Sequence, residues 1–173
     1  MTTSDSNNPY EQATQERFLR RLSKLRNEDA ALLRRNVGRR LWDSHGVHGV
    51  VARLLGNTAR WTARARDDYF LVATIATVGE HPERARGDFG VSLHRLRAIR
   101  GEALDRRMEL LIDADRDQLT MYLSSLAHEL AAAHVPVSLS LLLPDVLAWT
   151  AALGSVQARW TNSYYYGVRA PKE

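Results

Sequence analysis

Leucine recurs at positions 119, 123, 126 and 130, a 4-3-4 spacing that lines four side chains along one face of a helix. Further on, Val146, Trp149, Leu153, Val156, Trp160 and Tyr164 repeat at 3-4-3-4-4. Each seam is a stripe of apolar surface that has to be covered, and a second helix covers it best. Nowhere does the chain alternate apolar and polar residues with period two between turn residues, and it contains no internal repeat. The expectation is therefore an all-α fold, two small helical bundles in tandem with no sheet.

Residues 1–9 are rich in Ser, Thr, Asn and Asp and end in Pro9, which predicts a disordered tail. Residues 10–79 read as the N-terminal bundle. Phe18, Leu22 and Leu25 mark a first helix over 11–27, and Asn27 is placed to cap a second over 28–37, stopped by Gly38. Val50, Val51, Leu54 and Leu55 form a short third helix, followed by a loop. From about Asp67 the run through Val78 is apolar on nearly all sides, as a central helix would be. Residues 80–90 hold a proline, two glycines and five charges and read as a linker. Residues 91–173 form the C-terminal bundle: helices around Leu93–Ile99, Leu104–Ile112 and 117–134, then one long helix starting near Pro144.

A chain of 173 residues is long enough to bury a core without a metal or disulfide staple. Cysteine is absent, so disulfides, thiolate metal sites and a cysteine nucleophile are excluded. No stretch approaches the roughly 20 apolar residues of a membrane span, and the start lacks a basic region followed by an apolar run. A cytoplasmic location with no membrane partner is the default expectation.

Charge is distributed unevenly. Residues 1–107 carry 20 basic and 13 acidic side chains, whereas the remainder carries 4 basic and 7 acidic. Of the 24 basic residues 22 are arginine, whose planar donor fork suits phosphate. They recur as Arg20/Arg21, Arg34/Arg35, Arg39/Arg40, Arg64/Arg66, Arg84/Arg86, Arg95/Arg97 and Arg106/Arg107, mostly without an acidic residue four positions away. Charges of this kind need outside partners, and the residues alone leave three readings open: a nucleic-acid-binding subunit, a stand-alone basic nucleic-acid-binding protein, or a protein–protein adaptor.

Catalytic and metal motifs do not assemble. His128 and His134 are six apart, about 240° around a helix, where a zinc helix needs four. Asp113, Asp115 and Asp117 lack the glycine and distant glutamate of a calcium loop and read as helix termini. Asp43, His45 and His48 have no fourth ligand nearby. There is no phosphate-cradling loop, nucleophile elbow or dinucleotide fingerprint. The expectation is a protein that is not an enzyme and needs no cofactor.

Several strings carry a resemblance. They are Gly90-Val-Ser-Leu-His-Arg-Leu96, Asp105-Arg-Arg-Met-Glu-Leu-Leu-Ile-Asp-Ala-Asp-Arg-Asp-Gln-Leu119 and Val135-Pro-Val137 with the Trp149 helix. In outline, Leu32-Leu-Arg-Arg35 and Asp67-Asp-Tyr-Phe-Leu-Val-Ala73 add to them. Over about residues 16–166 the chain resembles the CasB family, the small subunit of the type I-E CRISPR surveillance complex Cascade. The resemblance implies a two-bundle helical subunit that works beside the other Cascade subunits and crRNA, with a second copy of itself. It implies contacts to target and non-target DNA strands that stabilise the R-loop without reading sequence.

On that resemblance Arg34, Arg35 and Arg95 are the first candidates for DNA contact. Arg64, Arg66, Arg84 and Arg86 follow, on loops flanking the central helix. In the Arg106/Arg107 pair, Arg107 is a candidate contact, while one of the two could equally be an internal ion-pair partner. Arg116, between two aspartates, reads as structural; Trp149 and Trp160 read as core; and at least one of Tyr164, Tyr165 and Tyr166 is a candidate contact to another subunit.

Overall fold

The computed structural model describes residues 9–57, 61–150 and 154–167; of the expected tail at 1–9 only Pro9 is among them, where it begins the first helix, and the seam residue Leu153 lies outside them. Among the described residues the chain is helical, with no strand. The helices are α1 (Pro9–Leu22), α2 (Asn27–Arg34), α3 (His48–Leu55), α4 (Ala63–Ile75), α5 (Phe89–Arg100), α6 (Asp105–Ile112), α7 (Arg116–Ala132), α8 (Leu139–Ala148) and α9 (Ser155–Tyr166). Short 3-10 turns at Leu41–Asp43 and Glu102–Leu104 complete the set. The boundary expected at 80–90 falls between α4 and α5, leaving the helix groups α1–α4 and α5–α9 on either side of it.

The central helix arrives as expected, because Tyr69, Phe70, Leu71, Val72, Ala73 and Ile75 of α4 are all buried. It starts earlier, however. Thr62 accepts a hydrogen bond from the Ala65 N–H and caps the helix, so the first turn of α4 begins at Ala63 rather than at Asp67. At α2 the side chain of Asn27 caps nothing. Arg26 occupies the cap position, and its guanidinium pairs with Asp29.

The expected long C-terminal helix is two helices. The first starts at Leu139, so Pro144 lies inside α8 instead of opening it. Gly154, at a left-handed φ of 79°, then occupies the position just before α9. Trp149, at the end of α8, donates its indole N–H to the Ala114 carbonyl at 3.0 Å. On α9, Trp160 donates to Asp145 at 2.7 Å, and burial pushes the Asp145 carboxyl above the usual carboxylate range against the pull of Trp160 and Arg159. Both tryptophans and Tyr164 are therefore core residues, each with its polar atom answered.

The core runs through both helix groups because α8 lies on α1 and α4. A second tie is polar. Arg116 at the start of α7 is buried and donates to Asp67 at 3.1 Å and Thr120 at 3.1 Å, and it also pairs with Asp68. Burial pushes the Asp68 carboxyl up, while Arg116 pulls it down. Asp67 also accepts from the Leu41 backbone N–H at 2.8 Å and from Arg40 at 3.2 Å. The Asp-Asp string on α4 and the Asp-Arg string opening α7 are thus two halves of one buried ionic cluster.

A third tie follows α4. His81 places one ring nitrogen 2.6 Å from the Val78 carbonyl and the other 3.2 Å from the Val137 carbonyl, while the Val137 N–H donates to the Glu80 carbonyl at 3.2 Å. The first residues of the expected linker are thereby clamped to the segment preceding α8. Its last two, Phe89 and Gly90, belong to α5, whose N-terminus Asp88 caps by accepting from the Val91 N–H.

Candidate nucleic-acid interface

The arginines divide by what answers them. Arg34 ends α2, where a cation suits the negative end of the helix, and among the described residues its side chain donates only to the Thr77 carbonyl, at 3.1 Å. The side chain of Arg35 beside it makes no hydrogen bond or ion pair with a described residue. Thr77 lies just beyond the C-terminal end of α4, and the loop that leaves that end carries Arg84 and Arg86. Neither meets a carboxylate among the described residues. Arg95 on α5 reaches back to the Arg86 carbonyl at 3.4 Å, which brings that arginine to the same loop. Five predicted arginines thus project from the α2 terminus, the loop after α4 and the adjoining face of α5, with carbonyl oxygens as their only described side-chain partners.

The other three differ. Arg64 and Arg66 lie in the first turn of α4 rather than on a loop, at the opposite end of that helix from Thr77. Arg64 is exposed and donates to the Thr150 hydroxyl. Arg66 is half-buried, and its Nε is buried with no described partner. Arg107 is the internally paired member of its pair, bonding Ser125 at 2.8 Å and pairing with Glu129 on α7. The Arg106 side chain is exposed and has no described partner.

The structure also gathers cations that sequence spacing did not single out as a site. Arg20, Arg21 and Lys24 of α1 and its C-terminal turn, Arg26 before α2 and Arg53 of α3 line a groove of about 380 Å³ over Leu25, Val50 and Leu54. Asp29 is the acidic residue lining it, and it is taken by Arg26 at 3.2 Å and Arg53 at 2.7 Å. The bond from Arg26 holds the Asp29 carboxyl below its usual range. The Arg20/Arg21 doublet was a signal in the sequence. Its meeting with Arg53, over thirty residues away, was not.

Elsewhere, Asp115 caps α7 in a reciprocal capping box with Gln118, so the acidic triplet does serve a helix terminus. Among the described residues no three His, Asp or Glu side chains converge as a metal site would require. No described helix is long and apolar enough to cross a membrane. Of the three tyrosines, Tyr164 is buried while Tyr165 and Tyr166 face solvent.

Known proteins share this fold. The family model for CRISPR-associated protein Cse2 matches residues 29–165. A curated relative, the CRISPR-associated protein Cse2 of Thermus thermophilus, is 30% identical over 118 residues, which cover 65% of this chain and 64% of that protein, just under two thirds of its length. A crystal structure of a Cse2-family protein from Thermus thermophilus superposes with a TM-score of 0.73 at 26% identity, covering 87% of this chain and 97% of the other. A chain of a CRISPR RNA-guided surveillance complex shares the fold with a TM-score of 0.73 at 21% identity, covering 90% of this chain and 94% of its own. With the family model spanning most of the chain and the quoted motifs falling within it, the chain belongs to the CRISPR-associated Cse2 family, the CasB family that its motifs resemble.

Proposed function

We propose that the chain is a non-catalytic small subunit of a type I-E Cascade complex. In this reading it stabilises the R-loop by sequence-independent contacts to the target and displaced DNA strands. It packs beside the other Cascade subunits and crRNA, next to a second copy of itself, in the cytoplasm. The observation that carries the reading is the set Arg34, Arg35, Arg84, Arg86 and Arg95, cations that no described carboxylate neutralises. Family membership supports it, as does the shared fold with a chain of an RNA-guided surveillance complex. In such complexes base pairing reads sequence, and the protein supplies a positive track that displaces counterions from phosphates.

Arg64 and Arg66 extend the track at the other end of α4. Arg107 contributes less, because Glu129 already answers its charge. In this reading the basic segment 10–79 and the edge formed by residues 80–90 with Arg95 face DNA, while the more acidic remainder of the chain carries subunit contacts. No cofactor takes part.

The test is R-loop formation by the reconstituted complex at several salt concentrations, with Arg34 and Arg35 reversed to Glu. Weaker R-loops and a shallower salt dependence are expected. Unchanged R-loop yield and slope would overturn the reading.

A further inference from the structure

An exposed tryptophan is unusual in a chain whose other large aromatics are mostly buried. Trp42 keeps 52% of its surface in solvent although it lies in a short, tightly fixed turn. Four bonds hold that turn. The Leu41 N–H donates to buried Asp67 at 2.8 Å, the Ser44 hydroxyl to the Arg40 carbonyl at 2.8 Å, the Ser44 N–H to the Leu41 carbonyl at 3.2 Å, and the Asp43 N–H to the Arg40 carbonyl at 3.1 Å. Leu41, the residue before Trp42, is anchored in the core.

One face of the indole is already taken. The Arg40 guanidinium lies over the ring, 3.9 Å from its centroid. Arg40 is in turn oriented by Asp67 at 3.2 Å and by Asp117. Its charge is spent on those carboxylates, so its remaining effect on Trp42 is to hold the ring in place. The indole is thus an exposed aromatic plane clamped from one side by a fixed cation, and little rotamer freedom is left to lose when something covers the open face.

Resting on the nucleic-acid reading above, we propose that Trp42 is a stacking platform for one unpaired base of a DNA strand. A base is a flat π-system of matching size, and stacking on an aromatic side chain tolerates any base identity. The immediate charge fits a polyanion. Arg39, three residues earlier, is exposed and its side chain makes no hydrogen bond or ion pair with a described residue, and Arg35 precedes it on the same stretch. The acidic groups here are Asp117, occupied by Arg40, and Asp43, which is exposed. A duplex offers no base face at this position, so the platform selects strands whose bases are unpaired.

The experiment measures anisotropy of labelled single-stranded DNA with the full chain across a salt series, for the wild type, Trp42→Ala and Trp42→Phe. Parallel titrations use duplex DNA and a strand of abasic sites. Circular dichroism verifies each fold, which an exposed side chain leaves intact. The alanine variant is expected to bind the normal strand about tenfold more weakly or worse, with an unchanged salt slope. The phenylalanine variant is expected to keep most of the affinity, and on the abasic strand wild type and variants are expected to be equal.

Equal affinity of wild type and alanine variant on the normal strand overturns the stacking platform and leaves the phosphate track standing. A loss of equal size on abasic or duplex DNA overturns it too, since no base face is then involved. Failure of the wild type to bind single strands even at low salt removes the platform together with the reading on which it rests.

Discussion

The α-carbon of Gly90 faces the backbone of Trp160 so closely that a Cβ there would lie 2.3 Å from the Trp160 carbonyl oxygen and 2.8 Å from its α-carbon. Gly90 sits in the first turn of α5 and Trp160 midway along α9, and these two helices form the most extensive helix pair of the fold. Helix backbones approach this closely only where a side chain is missing. Gly90→Ala is expected to push the helices apart and cost about 1–3 kcal/mol, measured by urea denaturation with near-ultraviolet dichroism of Trp149 and Trp160 as a local probe. An alanine variant as stable as the wild type would mean that the helix pair adjusts freely.

The buried cluster of Arg116, Asp67 and Asp68 gives a second expectation. Replacing Arg116 by Met leaves Asp68 without its cation in an enclosed site, while Asp67 keeps Arg40. The single change is expected to cost about 3 kcal/mol or more. Adding Asp68→Asn to Arg116→Met is expected to recover part of that loss, because the uncompensated charge is removed. A double-mutant cycle in chemical denaturation measures the coupling, and strict additivity would count against a shared network.

Salt dependence separates the arginines. Taking one arginine away from a phosphate reduces the slope of log affinity against log salt by about 1. Arg35→Gln and Arg84→Gln are expected to show that change on DNA bound to the assembled complex, since no described carboxylate competes for them. Arg107→Gln is expected to leave the slope almost unaltered and to loosen the packing of α6 on α7, because it takes a cation from Glu129. An equal slope change at all three positions would mean that Arg107 exchanges Glu129 for phosphate.

Two groups set opposite limits of pH. Arg97 donates to Asp105 at 2.8 and 3.1 Å, and with the Tyr164 hydroxyl it holds the Asp105 carboxyl below its usual range. The stabilisation is present above the ordinary carboxylate pKa and is lost as pH falls through the lowered value. Burial pushes the Tyr69 phenol up to about 12 from an ordinary 10.0, so its contribution is present below 10.0 and disappears as pH rises toward 12. Thermal unfolding across pH is expected to show both limbs. Asp105→Asn is expected to flatten the acid limb and Tyr69→Phe the alkaline one; unchanged limbs would assign them to other groups.

Much of the fold was legible because helix seams are local. The leucines of α7 and the apolar run of α4 repeat within a few turns, and all of them proved buried. The break between α8 and α9 was not legible, because the 3-4 spacing from Val146 to Tyr164 continues across Gly154 as if the helix did. The place of Arg64 and Arg66 in α4 is not legible in the sequence because arginine reveals nothing about period, and the Thr62 cap that puts them there is a single side-chain bond. Among the candidate contacts, Arg35 has no acidic residue four positions away in the sequence, whereas Arg84 has Glu80 and Asp88 at that distance and only the fold shows that these pair with His134 and Arg159 instead. The pairing of Arg107 with Glu129 spans two helices and depends on tertiary packing. The groove formed by Arg20, Lys24 and Arg53 was hidden for the same reason.

The seat of α8 against α1 and α4 bears on how the protein is made. A chain emerging from the ribosome presents α1–α4 long before residues 139–148 follow, and until then the side of the central helix on which α8 packs lacks its final cover. The first helices therefore wait for the last third of the polypeptide. A transcript truncated after α7 would yield a product with an exposed apolar flank, prone to aggregate or to be degraded, rather than a shortened working subunit.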